Sequence, residues 1–146
     1  MDWRLTSRPL SIAAAARALE GPGLGGVVVF AGRVRPDREA GGIVVALDYE
    51  SDRATAERRL AEIAATARRR FGAERVVLWH RVGTVASGDV SVIAGAACGH
   101  RDRAFAAARY LIEELKRSVA IWKRAQVRPG RRPRRPPARR AGRSAG

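Results

Sequence analysis

The chain has 146 residues, one cysteine, two histidines and a formal net charge of +15 at pH 7. This length is typical of one domain with a hydrophobic core, and a single cysteine excludes an internal disulfide framework. The sequence has no apolar run of the roughly 18 residues that a membrane helix needs and no apolar leader near its start, so we expect a cytoplasmic protein without a membrane span.

The first fifty residues predict one short helix followed by two strands. Ser11 is placed as the N-cap of a helix in "IAAAARALE", which ends before Gly21. The letters "GPGLGG" (21–26) match the dinucleotide pattern G-x-G-x-x-G, but they precede a strand instead of following one, so we interpret them as a loop. Residues 26–35 and 42–50 are rich in β-branched residues and flank a connector with Pro, Asp and Gly, which predicts a β-hairpin.

The following segments predict a helix, two strands and a second long helix. Residues 54–71 have apolar side chains at helical spacing, and Gly72 ends that helix. Residues 75–83 and 89–98 are predicted strands joined by a turn, and residues 101–117 form the last helix. The predicted core faces are Ala56, Leu60, Ile63, Ala64, Ala67 and Phe71 in the first of these helices, and Phe105, Ala108, Ile112 and Leu115 in the second. The order α-β-β-α-β-β-α predicts an α+β domain in which helices cover one face of a mainly antiparallel sheet.

Residues 128–146 differ in composition from the rest of the chain. They contain eight arginines, several prolines and no acidic residue, so we predict a disordered tail after a single domain of residues 1–127. Subtracting those eight charges from +15 leaves the domain with +7, which suits an anionic substrate or an acidic partner. An arginine–proline tail could bind nucleic acid, and the simpler interpretation is a solvated extension without a selected role.

Two short stretches contain groups that could bind an anion. "CGHRD" joins the fourth predicted strand to the last helix, where His100 and Arg101 add donors to the N–H groups of a helix start. Arg33 and Arg35 alternate onto one face of their strand. Each stretch also has a simpler alternative at the surface. His100 would then be an ordinary helix-entry histidine beside an exposed Arg101, and the strand arginines would pair with acids such as Asp37.

The only two lysines of the chain, Lys116 and Lys123, lie seven residues apart. Of the 29 basic residues, the other 27 are arginine, which stays protonated at any ordinary pH, whereas a buried or crowded lysine can lose its proton. The last helix is predicted to break near Ser118, so the lysines need not share a helical face, and Trp122 would give Lys123 an apolar neighbour. The alternative is a pair of ordinary surface lysines, and the preference of this chain for arginine argues against it.

Several stretches, taken in order, resemble one known family. They are "GGVVVFAGRVR", "ALDYE", "AEIAATARRRFG", "HRVGTVASGDVSVIAGAACGHRDRAFAA" and "LKRSVAIWKR", and they span roughly residues 9–125. In this combination they resemble the catalytic (large) subunit of molybdopterin synthase. The resemblance implies an α/β-hammerhead-type fold and a cytoplasmic sulfurtransferase of molybdenum cofactor biosynthesis, which converts cyclic pyranopterin monophosphate into molybdopterin.

The same resemblance implies the partners and the site of the reaction. The sulfur donor would be a small ubiquitin-like sulfur-carrier subunit with a C-terminal Gly-Gly thiocarboxylate, and one carrier at each end of a homodimer would give a heterotetramer. Neither a metal nor an organic cofactor would be needed. By position, the implied catalytic residues are Lys116 and Lys123, and the implied substrate-binding residues are Arg33, Val34, Arg35, His100, Arg101, Lys116, Lys123 and Arg124.

The sequence departs from the family pattern at a few positions and leaves two alternatives open. Ala120 and Ala125 stand where the family usually has a proline and an acid, and the arginine–proline tail replaces the family's C-terminal segment. One alternative is an inactive relative that only binds the sulfur carrier. The other is a basic nucleic-acid-binding module, which the aromatic content of 5% disfavours, because such modules stack bases on aromatic side chains.

Overall fold

The computed structural model describes residues 2–39 and 41–129 of the chain. Within these ranges the chain forms three helices and eight strands. In chain order they are β1 (Asp2–Thr6), α1 (Ile12–Ala18), β2 (Gly26–Arg33), β3 (Arg38–Glu39), β4 (Gly42–Ser51), α2 (Arg53–Phe71), β5 (Arg75–Arg81), β6 (Gly83–Ala86), β7 (Val90–Cys98), α3 (Arg101–Ser118) and β8 (Ile121–Pro129).

The described strands form two sheets of four strands each. In the first sheet, β1 runs parallel to β5, and β5 and β2 flank β7 in antiparallel orientation. In the second sheet, β4 pairs with β3, β6 and β8, and all three pairings are antiparallel. The predicted α+β class with mainly antiparallel sheets is confirmed, and β1, β3, β6 and β8 are added to the predicted order.

The predicted hairpin of residues 26–35 and 42–50 is wrong, because its two strands lie in different sheets. β2 pairs with β7 along its whole length, from Gly26 to Arg33. All nine residues of β7 are buried, so this strand needs a neighbour on each edge and cover on each face. After a bulge next to Gly32 the chain crosses to the second sheet, where β4 pairs with β8 over its full length.

Helices cover the first sheet on both faces, and the prediction that they cover one face is wrong for α1. α2 and α3 pack against the side that holds Val76 and Leu78 of β5. α1 packs against the other side, where Val77 and Trp79 lie. The unbroken apolar run "VVLW" of β5 explains this arrangement, because a strand with one solvated face alternates polar and apolar residues, whereas a strand covered on both faces does not.

The helix ends follow the local signals in the sequence. The hydroxyl oxygen of Ser11 accepts a hydrogen bond from the backbone N–H of Ala14 at 3.0 Å, which confirms the predicted N-cap of α1. α2 ends at Gly72, whose φ of +66° lies in the left-handed region that glycine adopts without strain. The predicted core face of α2 is also confirmed, with Phe71 only partly buried.

The predicted buried face of α3 is confirmed for Ala108 and Leu115 and wrong for Phe105 and Ile112. Phe105 is 62% exposed and Ile112 is only partly buried. The residues of α3 that are buried against the sheet and α2 are Ala104, Ala107, Ala108, Leu111 and Leu115. Because alanine side chains are small, the helix backbone lies close to its neighbours along this face, and the larger apolar residues are left at the side.

The end of the described chain belongs to the second sheet. Arg128 and Pro129, which lie beyond the predicted domain end at residue 127, pair with Ile43 and Gly42 of β4. The predicted disorder of the tail otherwise concerns residues 130–146, which lie outside the described residues and for which it stays a prediction.

A close backbone contact between β2 and α3 gives a test of this packing. A Cβ atom on Gly26 would lie 2.8 Å from backbone atoms of His100 and Arg101, whereas a Cβ atom on Gly99 would have no neighbour within 4 Å. We therefore expect Gly26→Ala to lower the free energy of unfolding by about 1–3 kcal/mol. Gly99→Ala is the control and should change it by less than about 0.5 kcal/mol in the same denaturant titration. Equal losses in both variants would contradict the close contact.

Candidate active site

Lys116 lies in the last turn of α3, which a polar network holds against α2. The Arg59 guanidinium of α2 donates hydrogen bonds to Ser118 Oγ at 2.8 Å and to the Glu114 carboxylate at 3.0 Å. Ser118 Oγ donates in turn to the Glu114 carbonyl oxygen at 2.7 Å. The hydrogen bond from Arg117, together with the charges of Arg117 and Arg59, lowers the pKa of Glu114, so the carboxylate stays ionised. The helix end that carries Lys116 is thereby fixed in place.

Lys123 lies on β8, because α3 ends before it as predicted. In the antiparallel register it stands opposite Tyr49 of β4. The neighbouring Asp48 carboxylate accepts hydrogen bonds from Thr84 Oγ1 at 2.6 Å and from Gln126 Nε2 at 2.8 Å. These bonds tie β4 to both β6 and β8, and they fix the strand that brings Lys123 back toward the end of α3.

The two lysines line one pocket although they belong to different elements. Two adjoining cavities of about 300 Å³ and 280 Å³ share Lys116, Lys123, Tyr49 and Ser91 in their walls. The first, which we name the histidine cavity, is also lined by His80. The second, which we name the arginine cavity, opens toward the end of β2. The fold thus brings together two side chains that the sequence singled out by residue type alone.

Arg33, Val34 and Arg35 line the arginine cavity, each in a different way. Arg33 donates a hydrogen bond to the carbonyl oxygen of Gly88 at 2.9 Å, and Val34 is buried and forms an apolar wall. Arg35 is 80% exposed and forms an ion pair with Asp37 at 3.1 Å, the pairing considered as the simpler alternative. Each guanidinium has five N–H donors, so both arginines retain donors for an anion.

His80 and Tyr49 are pocket residues that the sequence reasoning did not single out. His80 is 6% exposed, and its ring packs edge-on against the ring of Tyr49 with centroids 5.0 Å apart. Burial lowers the pKa of His80 to about 4, and the positive charge of Lys116 acts in the same direction. A signal for His80 is present in "VVLWHR", because an ionisable residue that continues an apolar, two-sided strand is carried into the interior.

The other implied substrate-binding residues lie outside the lysine pocket. His100, Arg101 and Asp102 line a separate cavity at the N-terminal end of α3. Fifteen helical rises of about 1.5 Å separate Arg101 from Lys116, which is roughly 22 Å along α3. Arg124 directly follows its lysine neighbour on β8, so it points to the opposite face of that strand.

Cys98 ends β7 in the core and takes no part in the pocket. It is 1% exposed, and burial raises the pKa of its thiol, so the thiol stays protonated. In residues 2–39 and 41–129, His, Cys, Asp and Glu side chains form no group of three or more that could hold a metal ion. The groups that the pocket offers to a ligand are two lysine amines, two guanidinium groups, a tyrosine, a serine and a histidine.

Comparison with known proteins identifies the class to which this fold and pocket belong. The family model described as "MoaE protein" matches residues 5–118. Molybdopterin synthase catalytic subunit 1 of Mycobacterium tuberculosis is 42% identical over 121 residues, 83% of this chain and 82% of that protein. Molybdopterin synthase catalytic subunit of a Nostoc species is 38% identical over 130 residues, 88% of this chain and 78% of that protein. The crystal structure of molybdopterin synthase from Staphylococcus aureus has a TM-score of 0.79 at 28% identity, over 86% of this chain and 91% of that one.

The fold and the pocket therefore define an α+β enzyme of the molybdopterin synthase type, which acts in molybdenum cofactor biosynthesis. The chain belongs to the MoaE family. The family and the fold that the resemblance implied are confirmed. Among the helices of the described ranges, none has the length and apolar content needed to cross a membrane.

Asp48 provides a test of how β8 is held. Hydrogen bonds from Thr84 and Gln126 lower its pKa, so its charge stabilises the fold at neutral pH, and this contribution is lost as the pH falls through the lowered pKa. We expect Asp48→Asn to lower the Tm at neutral pH, and the difference from the wild type to shrink below about pH 4. Asp2→Asn removes an ion pair with Arg4 at the surface and should leave the Tm nearly unchanged. A difference that does not vary with pH would rule out a role of the charge.

Proposed function

We propose that this chain transfers sulfur from the C-terminal thiocarboxylate of a small ubiquitin-like carrier to cyclic pyranopterin monophosphate, which builds the dithiolene of molybdopterin. The observation that carries this proposal is that Lys116 and Lys123, the only lysines of the chain, line one pocket. The names of the relatives support the reaction class and, through the word "subunit", a second chain.

The two lysines suit the chemistry of a thiocarboxylate. Sulfur leaves a thiocarboxylate when a nucleophile attacks the carbonyl carbon, and a cation beside the carbonyl oxygen stabilises the charge that develops there. A lysine can act as the nucleophile after it loses a proton, or as the fixed cation. Two lysines on two different elements allow one to hold the charge while the other takes part in proton or group transfer.

The charge of the pocket matches two anionic ligands. The carrier's thiocarboxylate and the substrate's phosphate are both negative, and Lys116, Lys123, Arg33 and Arg35 line the arginine cavity. Among the described residues of its wall, Asp37 is the one acid, and it is paired with an arginine. A concave site with a surplus of positive charge attracts anions. The charge of +7 over residues 1–127 extends this preference to an acidic surface on the carrier.

The distance between two groups of implied substrate-binding residues supports a homodimer. His100 and Arg101 lie roughly 22 Å from Lys116 along one helix. Within one chain, therefore, they cannot contact a small ligand bound at the lysines. A second copy that brings the start of its α3 to the mouth of the pocket would complete the site. We therefore expect a homodimer with one carrier per protomer, a heterotetramer, in the cytoplasm.

An assay of carrier turnover and an assay of RNA binding separate this proposal from its two alternatives. An inactive relative would bind the thiocarboxylated carrier without turnover. A nucleic-acid-binding module would bind RNA with an affinity that falls steeply as salt increases. We expect turnover with the carrier and no RNA binding that competes with it.

The roles of the lysines are tested by Lys116→Arg and Lys123→Arg, which keep the positive charge. Arginine cannot replace a lysine that must lose its proton. We expect single-turnover sulfur transfer to fall by about 10² or more in both variants, with Lys116→Arg the more affected, because α3 holds its backbone rigidly. Arg109→Lys, an exposed exchange on the same helix, is the matched control. Near-wild-type rates in both arginine variants would mean that the lysines act only as fixed positive charges.

The homodimer is tested by combining Lys116→Ala and Arg101→Ala chains in one heterodimer. If each site uses Lys116 of one copy and Arg101 of the other, one site contains both defects and the other contains none. We expect each variant homodimer to be nearly inactive and the isolated heterodimer to recover up to half of the wild-type rate. If each site lies within one chain, every site keeps one defect and the activity stays low. Light scattering before the assay checks that all samples are dimers.

A further inference from the structure

A buried histidine beside the two lysines has no part in the reaction described so far. His80 of β5 lines the same cavity as Lys116 and Lys123. Its Nδ1 is in hydrogen-bonding contact with the carbonyl oxygen of Arg81, and because a carbonyl can only accept, Nδ1 carries a hydrogen. The ring nitrogen that remains for the cavity is Nε2.

The surroundings keep this histidine neutral. Burial lowers the pKa of His80 to about 4. The hydrogen bond to the Arg81 carbonyl acts to raise this pKa, whereas the positive charge of Lys116 acts to lower it further. The charged and titratable groups that face it in the cavity are Lys116 of α3, Lys123 of β8 and the phenol of Tyr49 of β4. The described lining of this cavity contains no carboxylate that would favour an imidazolium. Nε2 is therefore a lone-pair acceptor at neutral pH.

Lys116 is held by no carboxylate in the described part of the chain. Every ion pair there is made by an arginine. The lysine stem is long and flexible. A reacting amine must stay within about 1 Å of its productive position, because a larger displacement lowers the rate. A neutral acceptor in the wall of the cavity can supply that restraint.

We propose that His80 is a positioning residue for Lys116. Nε2 of His80 accepts a hydrogen bond from the lysine amine and holds that amine where the carrier's thiocarboxylate binds. This inference rests on the proposed function. The edge-on contact with Tyr49 braces the imidazole in its orientation. A neutral imidazole serves this purpose better than a carboxylate, because it accepts a hydrogen bond without cancelling the positive charge that anionic ligands require.

The pairing is tested without turnover, by long-range proton–nitrogen NMR of the imidazole in the full chain. We expect the Nδ1–H tautomer of His80 to persist from about pH 5 to about pH 8. In Lys116→Ala the Nε2 resonance should move toward that of a free imidazole acceptor, and in Lys123→Ala it should stay nearly unchanged. An Nε2–H tautomer, an Nε2 resonance unaffected by Lys116→Ala, or a shift caused only by Lys123→Ala would overturn the proposal.

Single-turnover sulfur transfer gives the second test. His80→Phe keeps an aromatic ring without an acceptor, and His80→Gln keeps an acceptor at a similar reach. We expect the transfer rate to fall about tenfold in His80→Phe, as for the loss of one hydrogen bond to a charged group, and to recover in His80→Gln. The half-saturating carrier concentration should not change. Trp79→Phe, the neighbouring position on the α1 side of β5, controls for packing and should keep its rate.

Equal loss in His80→Phe and His80→Gln would make the effect one of packing and overturn the proposal. The failure of the proposed function looks different, because in that case the wild type itself transfers no sulfur, whatever the NMR spectrum shows. An active wild type whose Nε2 is unaffected by Lys116→Ala contradicts the role of His80 alone.

Discussion

The burial of β7 on both faces and along both edges is the constraint on which the rest of the structure depends. All residues of Val90–Cys98 are buried, with β5 and β2 on the two edges, α1 on one face and α2 and α3 on the other. β2 is the edge strand of this sheet, and the later strand β4 pairs with β3, β6 and β8 in the second sheet. The second sheet is built around β4, separately from the strands that flank β7.

The pocket lies where the second sheet meets the first sheet and the end of α3. β8 runs back along β4 and places Lys123 opposite Tyr49, while α3 brings Lys116 and β5 brings His80 to the same cavity. Each of these groups is carried by a helix or a strand that hydrogen bonds fix to its neighbours. Sites built on such elements hold their functional groups more closely than sites on loops.

Arginine and lysine have separate tasks in this chain. Arginine makes the ion pairs of the described residues, including the contact of Arg59 with Glu114 that locks the end of α3, and its planar group with several donors suits that role. Lys116 and Lys123 instead face the pocket. His80, the buried ionisable group between the sheets, is kept neutral by burial, so the positive charge of the site stays on groups near its surface, where the cost of desolvation is small.

The sequence by itself determined the helices, their ends and the two lysines, because caps such as Ser11 and Gly72, helical spacing and residue preference are properties of near neighbours and of composition. The pairing of β2 with β7, the alanine-lined face of α3 and the presence of His80 in the pocket were decided by the tertiary structure, because they depend on contacts between residues far apart in the chain. The substrate-binding set illustrates the difference. The family resemblance assigned Arg101 and Lys116 to one substrate-binding set, but one helix places them roughly 22 Å apart within the chain, because the rise along α3 fixes their separation.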